Sequence, residues 1–118
     1  MTIVVGNLAT PEGRAALDAA VTEAEQRRAT LVVVAGPGEP GQDTAGLTER
    51  LAAAGVAVRL DPGTGDLADD LVRTALETGA DLVVIGLRRR GPVGKLILGA
   101  GAQRILIEAP CPVLAVKV

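Results

Sequence analysis

Short apolar runs alternate along the chain with longer stretches in which apolar residues recur every three or four positions. The runs have the length of buried strands and lie at 2–5, 30–35, 56–60, 81–85 and 113–118. The longer stretches between them have helical spacing and begin at Thr10, Leu47, Asp66 and Ala102. Because a helix separates each strand from the next, the pattern predicts an α/β fold: a doubly wound, five-stranded parallel sheet with helices on both faces.

The ends of two helices are marked by residues with known capping roles. Thr10 is predicted to be an N-cap, with Pro11 in the first helical position and Glu12 near the positive end of the helix dipole. Asp66 is predicted to cap the third helix and Gly79 to end it. The side chains expected to face the core from the third and fourth helices are those of Leu67, Leu71, Val72, Ala75, Leu76, Ile105 and Leu106.

Composition excludes several classes of protein. The 118 residues suit one domain (1–118), and a net charge of −2 gives no general reason to bind nucleic acid. No apolar stretch approaches the length of a membrane span, and the N-terminus has no basic leader followed by an apolar segment. Cys111 is the only cysteine, so no internal disulfide can form, which agrees with the cytoplasm. We therefore expect a cytoplasmic protein with no nucleic-acid or membrane partner.

The chain contains no histidine and no aromatic residue. It therefore lacks the commonest general base, the commonest transition-metal ligand and any ring on which a base could stack. The only cysteine has no histidine to activate it, and the acids at Asp66, Asp69 and Asp70 suit a helix N-terminus better than a metal site. We expect neither catalysis nor a bound metal.

The segment 86–103, GLRRRGPVGKLILGAGAQ, combines glycine with positive charge, as phosphate-binding loops often do. A P-loop requires a glycine where Arg89 stands and a hydroxyl where Leu96 stands. A dinucleotide fingerprint requires a small residue at Arg104 and a strand leading directly into the glycines. Neither pattern fits.

A third pattern does match. Gly86, nine residues at 90–98 and then Gly99, followed by QRIL and APCPVLAV, resemble the universal stress protein family. The N-terminal IVVG and PEGRAALDAA are similar to that family too, so the resemblance covers almost the whole chain. The chain is short for the family around GPGEPGQD. The resemblance implies an adenine-nucleotide alpha-hydrolase-like fold with strand order 3-2-1-4-5.

Three positions depart from the pattern of the family's nucleotide-binding members. Arg89 stands in place of the second glycine, Ala100 in place of a serine or threonine, and Leu8 in place of an acidic residue. A side chain at Arg89 hinders close approach of the backbone to a phosphate, Ala100 offers no hydroxyl, and Leu8 accepts no hydrogen bond. The residues predicted to form this degenerate nucleotide or anion site are Gly6, Asn7, Gly86, Arg89, Gly99, Ala100 and Gly101.

Two interpretations of the positive charges remain open. Arg88, Arg89, Arg90 and Lys95 could hold an anion by their side chains, or they could form a solvent-exposed face of the loop. The first hypothesis for the whole protein is a non-catalytic member of the family that acts in stress response without a cofactor, through dimerisation and partner proteins. The alternative is a sensor of ATP or another phosphate-bearing anion.

The last predicted strand, from Val113 to Val118, favours dimerisation. It is almost wholly apolar, and the family's strand order places it at the edge of the sheet. Lys117 is its only charged residue. We expect two copies to pair through this strand about a two-fold axis.

Overall fold

The computed structural model describes residues 1–38, 41–90, 95–96 and 98–118. Its strands are β1 (Thr2–Asn7), β2 (Thr30–Ala35), β3 (Val58–Asp61), β4 (Leu82–Leu87), β5 (Arg89–Arg90), β6 (Lys95–Leu96) and β7 (Val113–Lys117). Its helices are α1 (Pro11–Arg27), α2 (Ala45–Ala53), α3 (Leu67–Thr78) and α4 (Ala100–Glu108).

The main sheet has five parallel strands in the order β3-β2-β1-β4-β7, which confirms the predicted order. β1 lies in the middle, with Ile3 opposite both Leu31 of β2 and Leu82 of β4. At the far edge, Val83 of β4 lies opposite Val113 of β7. A two-residue antiparallel ladder between β5 and β6 falls inside the segment that we expected to be loop.

The helices cover the two faces of the sheet in pairs. Ile3 and Val5 point into the layer formed with α1 and α2, whereas Val4 points into the layer formed with α3 and α4. All three side chains are fully buried. Burial on both faces explains why the central strands read as continuous apolar runs. Among the described residues, no helix combines the length and the apolar character needed to cross a membrane.

The predicted helix ends are confirmed. The Thr10 hydroxyl accepts a hydrogen bond from the Gly13 N–H (3.1 Å), and the Asp66 carboxylate accepts one from the Asp69 N–H (3.1 Å). α3 ends at Gly79, whose φ of +61° lies in the left-handed region that favours glycine. Local side-chain chemistry alone was enough to place these boundaries.

Two predicted core residues are wrong. Leu76 is 62% exposed and Leu106 is 42% exposed. Each lies beside a residue that does face the core, Ala75 and Ile105 respectively. Neighbouring residues on a helix diverge by about 100°, so each leucine lies at the margin of the buried stripe. The strand bounds also differ: β1 and β4 each run two residues further than predicted, so that Asn7 and Gly86 are strand residues.

Asp70, on the first turn of α3, is completely buried. Its carboxylate accepts hydrogen bonds from the Thr64 N–H (2.7 Å), the Thr64 hydroxyl (2.8 Å) and the Arg73 guanidinium (2.6 Å). Burial by itself raises the pKa of Asp70, but the hydrogen bonds from Thr64 and the Arg73 charge outweigh burial and lower it. Asp70 therefore ties the turn after β3 to α3.

We expect Asp70→Asn to lower the free energy of unfolding by about 2 kcal/mol, because an amide cannot replace the carboxylate as acceptor of all three bonds. The native pKa lies below the unfolded value, so this stabilisation is complete above about pH 4. It is lost as the pH falls through the native pKa. Urea titrations between neutral and acidic pH measure both effects. Asp18→Asn, at an exposed position on α1, is the control, and equal losses in the two variants would contradict the assignment.

Candidate functional site

A cleft of about 190 Å³ lies at the carboxyl ends of β1 and β4. The chain proceeds from β1 to β2 on one side and reaches β4 on the other, so this is the point where strand order reverses. The cleft is lined by four glycines, Gly6, Gly13, Gly86 and Gly101, and by apolar side chains from β4, α1, α3 and α4. The larger apolar side chains are those of Leu8, Leu67, Leu71, Val84, Ile85 and Ile105.

Two of these glycines allow helices to approach the sheet closely. A Cβ on Gly86 would overlap the backbone carbonyl of Glu12, in the first turn of α1. A Cβ on Gly6 would lie 3.0 Å from the methyl carbons of Leu67, the first residue of α3. Packing therefore requires glycine at Gly86, whether or not a ligand binds there, whereas at Gly6 the Leu67 side chain would have to shift.

Leu8, one of the three predicted departures from the nucleotide-binding pattern, lines the cleft. A Cβ on Gly13 would lie 2.5 Å from the Leu8 Cβ, and a Cβ on Gly36 would overlap a Leu8 methyl group. The leucine thus packs between the start of α1 and the segment that follows β2. This side of the cleft is apolar.

Asn7, a predicted ligand residue, does not line the cleft. Its side-chain amide donates to the Gln42 carbonyl (2.9 Å), and its carbonyl oxygen accepts from the Gln42 N–H (2.9 Å). Both hydrogen-bonding groups of the side chain hold the segment after β2 against the end of β1. The sequence did not predict this pairing, because the two residues are 35 positions apart.

The other predicted site residues are divided by the structure. Gly6, Gly86 and Gly101 line the cleft, whereas Arg89, Gly99 and Ala100 do not. Gly99 is the N-cap of α4 and, having no side chain, supplies no capping hydrogen bond. Ala100 is the first residue of that helix.

Arg88 and Arg89 continue the edge of the main sheet beyond β4 and do not line the cleft. Arg88 and Arg89 are exposed, and the Arg89 N–H donates to the Val118 carbonyl (3.3 Å), which extends the ladder between β4 and β7. Arg90 and Lys95 are opposite each other in the short ladder of β5 and β6. Their side chains, and residues 91–94 and 97, lie outside the described part of the chain.

Arg104, which we did not predict as part of a site, joins α4 to α3. Its guanidinium donates to Asp69 (2.8 Å) and to Glu108 (2.9 Å) and lies 3.8 Å from the Asp66 carboxylate. The hydrogen bonds to Asp69 and Glu108 raise the pKa of Arg104. All four side chains are more than a third exposed, so the ion pairs add little stability. They do pair the positive charge of Arg104, on the second turn of α4, with carboxylates of the chain itself.

Glu12 contributes the one polar side chain among the described residues that line the cleft. Its Oε2 atom is shielded from solvent and has no hydrogen-bond partner within the described part of the chain. The sequence indicated only a favourable position near the helix dipole. That the same carboxyl lies in the cleft wall follows from the close contact of its backbone with Gly86.

The described residues offer little for acid–base, nucleophilic or metal chemistry. Among them, no group of three or more His, Cys, Asp and Glu side chains could hold a metal ion. Burial raises the pKa of the Cys111 thiol, and the Asp81 carboxylate adds to the shift. A raised pKa keeps the thiol protonated and weakly nucleophilic.

Comparison with known proteins agrees with this architecture. The sequence model of the Universal stress protein family matches residues 35–117. A universal stress protein of Mycolicibacterium smegmatis is 41% identical, over 98% of this chain and 96% of that protein. The structure of a universal stress protein from Archaeoglobus fulgidus superimposes with a TM-score of 0.71 at 28% identity, covering 99% and 98% of the two chains. A universal stress protein in complex with cAMP gives a TM-score of 0.65 at 26% identity, covering 99% and 96%.

The contact between Gly86 and Glu12 can be tested by adding a single methyl group. We expect Gly86→Ala to lower the free energy of unfolding by about 2 kcal/mol, because the new Cβ would overlap backbone that cannot move without shifting α1. Gly46→Ala, on α2 with open space around it, is the control and should be neutral or stabilising. Chemical denaturation measures both. An unchanged stability of Gly86→Ala would show that α1 does not lie as described.

Proposed function

This chain belongs to the universal stress protein family, and we propose that it acts in stress response as a non-catalytic protein, through self-association and contacts with partner proteins. Self-association is the part of this proposal that the structure supports most directly. The position and composition of β7 carry it.

β7 is an edge strand of the main sheet and pairs with β4 on one side. Leu114 and Val116 are partly buried against the layer of α1, and Val113 and Ala115 against the layer of α3 and α4. Edge strands that remain single usually carry inward-pointing charge, a proline or a bulge. Since the only charged residue of β7 is Lys117, at its end, the strand suits pairing with a second copy about a two-fold axis.

The absence of catalysis is supported by what the cleft contains. A general acid–base mechanism needs at least one group positioned to move a proton, and most need two. The described lining has a single ionisable side chain, Glu12, and the sequence has no histidine to work with it. The arrangement is better suited to packing or binding than to turnover.

A second candidate function is that of an adenine-nucleotide sensor. The cleft lies where open parallel sheets bind ligands, and a relative of 26% identity was solved with cAMP. However, a volume of about 190 Å³ is below the range of about 300–1,000 Å³ usual for pockets that enclose a whole ligand. With Leu8 in the wall and Arg89 outside it, we propose that nucleotide binding is weak.

The dimer is tested by light scattering with refractive-index detection. The mass in solution should be twice the 11.9 kDa of one chain, and Val116→Lys should shift it toward the monomer, because each copy would then place a charge within the paired edge. The matched control is Leu60→Lys, which adds the same charge at a 59% exposed position on β3, the opposite edge of the sheet.

Circular dichroism shows whether each variant keeps its fold. A wild-type monomer at tens of micromolar would refute the dimer. A dimer that survives Val116→Lys but dissociates in Leu60→Lys would move the interface to β3.

Nucleotide binding has an unusually clear optical test. The chain has no Phe, Tyr or Trp, so its own absorbance is very low and a co-purified adenine nucleotide would dominate the near-ultraviolet spectrum. We expect no stoichiometric adenine band and weak binding of ATP by calorimetry. Although neither residue lines the cleft, the double variant Arg89→Gly with Ala100→Ser should bind ATP more tightly, since phosphates that extend from the cleft to the start of α4 would gain close backbone approach and a hydroxyl.

The comparison variant is Leu8→Asp, which restores the acid without changing the glycine-rich segment. A stoichiometric adenine band in the wild-type protein would favour the sensor over the first candidate. If the double variant gains no affinity and Leu8→Asp does, the loss of the acid is the decisive change.

A further inference from the structure

We infer that the cleft between β1 and β4 binds a small, neutral, largely apolar molecule of one or two fused rings, which donates a hydrogen bond to Glu12. This inference goes beyond the proposed function and does not depend on dimerisation. Three observations support it: the size of the cleft, its apolar lining, and a Glu12 carboxyl oxygen that is shielded from solvent and has no partner among the described residues.

The size sets the class of molecule. An apolar protein cavity of about 150 Å³ is large enough for benzene. The cleft, at about 190 Å³, therefore has room for a slightly larger ring system. Its walls are methyl and methylene groups of Leu8, Leu67, Val84 and Ile105, which favour an apolar occupant.

The Glu12 carboxyl sets the polar requirement. A buried acceptor without a partner is energetically costly, and the cost falls when a donor reaches it. The last torsion of a glutamate side chain is broad, so rotation of the carboxyl can present an oxygen to the cleft at little cost. A ligand with an N–H or O–H group would supply the missing partner.

The charges around the cleft favour a neutral ligand. The Glu12 carboxylate repels a phosphate or carboxylate group in the same space. The first turns of α1, α3 and α4 all contribute residues to the lining, and the positive ends of their dipoles oppose a cation. A neutral hydrogen-bond donor satisfies both constraints.

Indole and benzofuran are a matched pair of probes, since they have the same fused-ring size but only indole has an N–H donor. The chain has no aromatic residue, so ring-current shifts of its methyl resonances can come only from the probe. Methyl-detected NMR titration should shift the methyl groups of Leu8, Leu67, Val84 and Ile105 and leave those of the exposed Leu60 and Leu76 unchanged. Indole should bind about tenfold more tightly than benzofuran, the effect of one hydrogen bond to a charged acceptor.

Two variants distinguish the contribution of the Glu12 hydrogen bond from that of the size of the cleft. Glu12→Leu should reduce the preference for indole to within about twofold, whereas Glu49→Leu, an equal charge change at an exposed site on α2, should preserve it. Gly101→Ala adds a Cβ 3.7 Å from the Ala68 Cβ and narrows the cleft, so it should weaken both probes and keep their ratio. Gly46→Ala is its control.

Several results would overturn the inference. They are equal affinity of the two probes, an indole preference that survives Glu12→Leu, methyl shifts outside the cleft, or no binding of either probe up to its solubility. Displacement of indole by AMP with an affinity that requires the phosphate would also overturn it, in favour of a nucleotide site. Because none of these measurements involves oligomeric state, failure here is distinguishable from failure of the proposed dimer.

Discussion

The contact between the backbone of Glu12 and Gly86 determines how closely α1 lies against β4. It fixes the first turn of α1 against the end of β4, a strand that follows it by some seventy residues in the chain. The same turn carries Gly13, against which Leu8 packs, and the Glu12 carboxyl. One close approach thus places α1, and with it the Leu8 and Glu12 side chains that line the cleft. A side chain at Gly86 would prevent that approach.

Much of the fold could be predicted because its main determinants are local or periodic. Alternating strands and helices imply parallel strands, and Thr10 and Asp66 mark helix starts by short-range hydrogen bonds that any structure with those helices would form. The strand order came from the resemblance rather than from periodicity. Leu76 and Leu106 were misplaced because an apolar residue at the margin of a helical stripe cannot be told from one in its centre without knowing what covers it. Buried Asp70 was missed because its partners, Thr64 and Arg73, are near in sequence but nothing in the sequence shows that this carboxylate lies on the buried side of α3.

The candidate site was predictable in its position but not in its chemistry. The glycines at Gly6, Gly86 and Gly101 do mark the cleft, and at Gly86 the close approach of α1 requires glycine for packing as well. By contrast, Asn7 has both of its amide groups engaged by Gln42, and Arg104 is engaged by carboxylates on two helices. Residue type shows that such side chains can bind a ligand, but not that they are already occupied. That depends on pairings within the folded chain, and here those pairings engage the Asn7 amide and the Arg104 guanidinium.

The segment 86–103 contains both glycines and positive charges, but the structure places Gly86 and Gly101 in the cleft and Arg88 and Arg89 outside it. The cleft wall carries a carboxyl and no described basic side chain, whereas Arg88 and Arg89 follow directly on β4 beside the end of β7. The hydrogen bond from the Arg89 N–H to the Val118 carbonyl makes this basic segment a continuation of the edge ladder. Among the described residues, Arg88 and Arg89 therefore lie beside the surface proposed for self-association, whereas Gly6, Gly86 and Gly101 line the cleft.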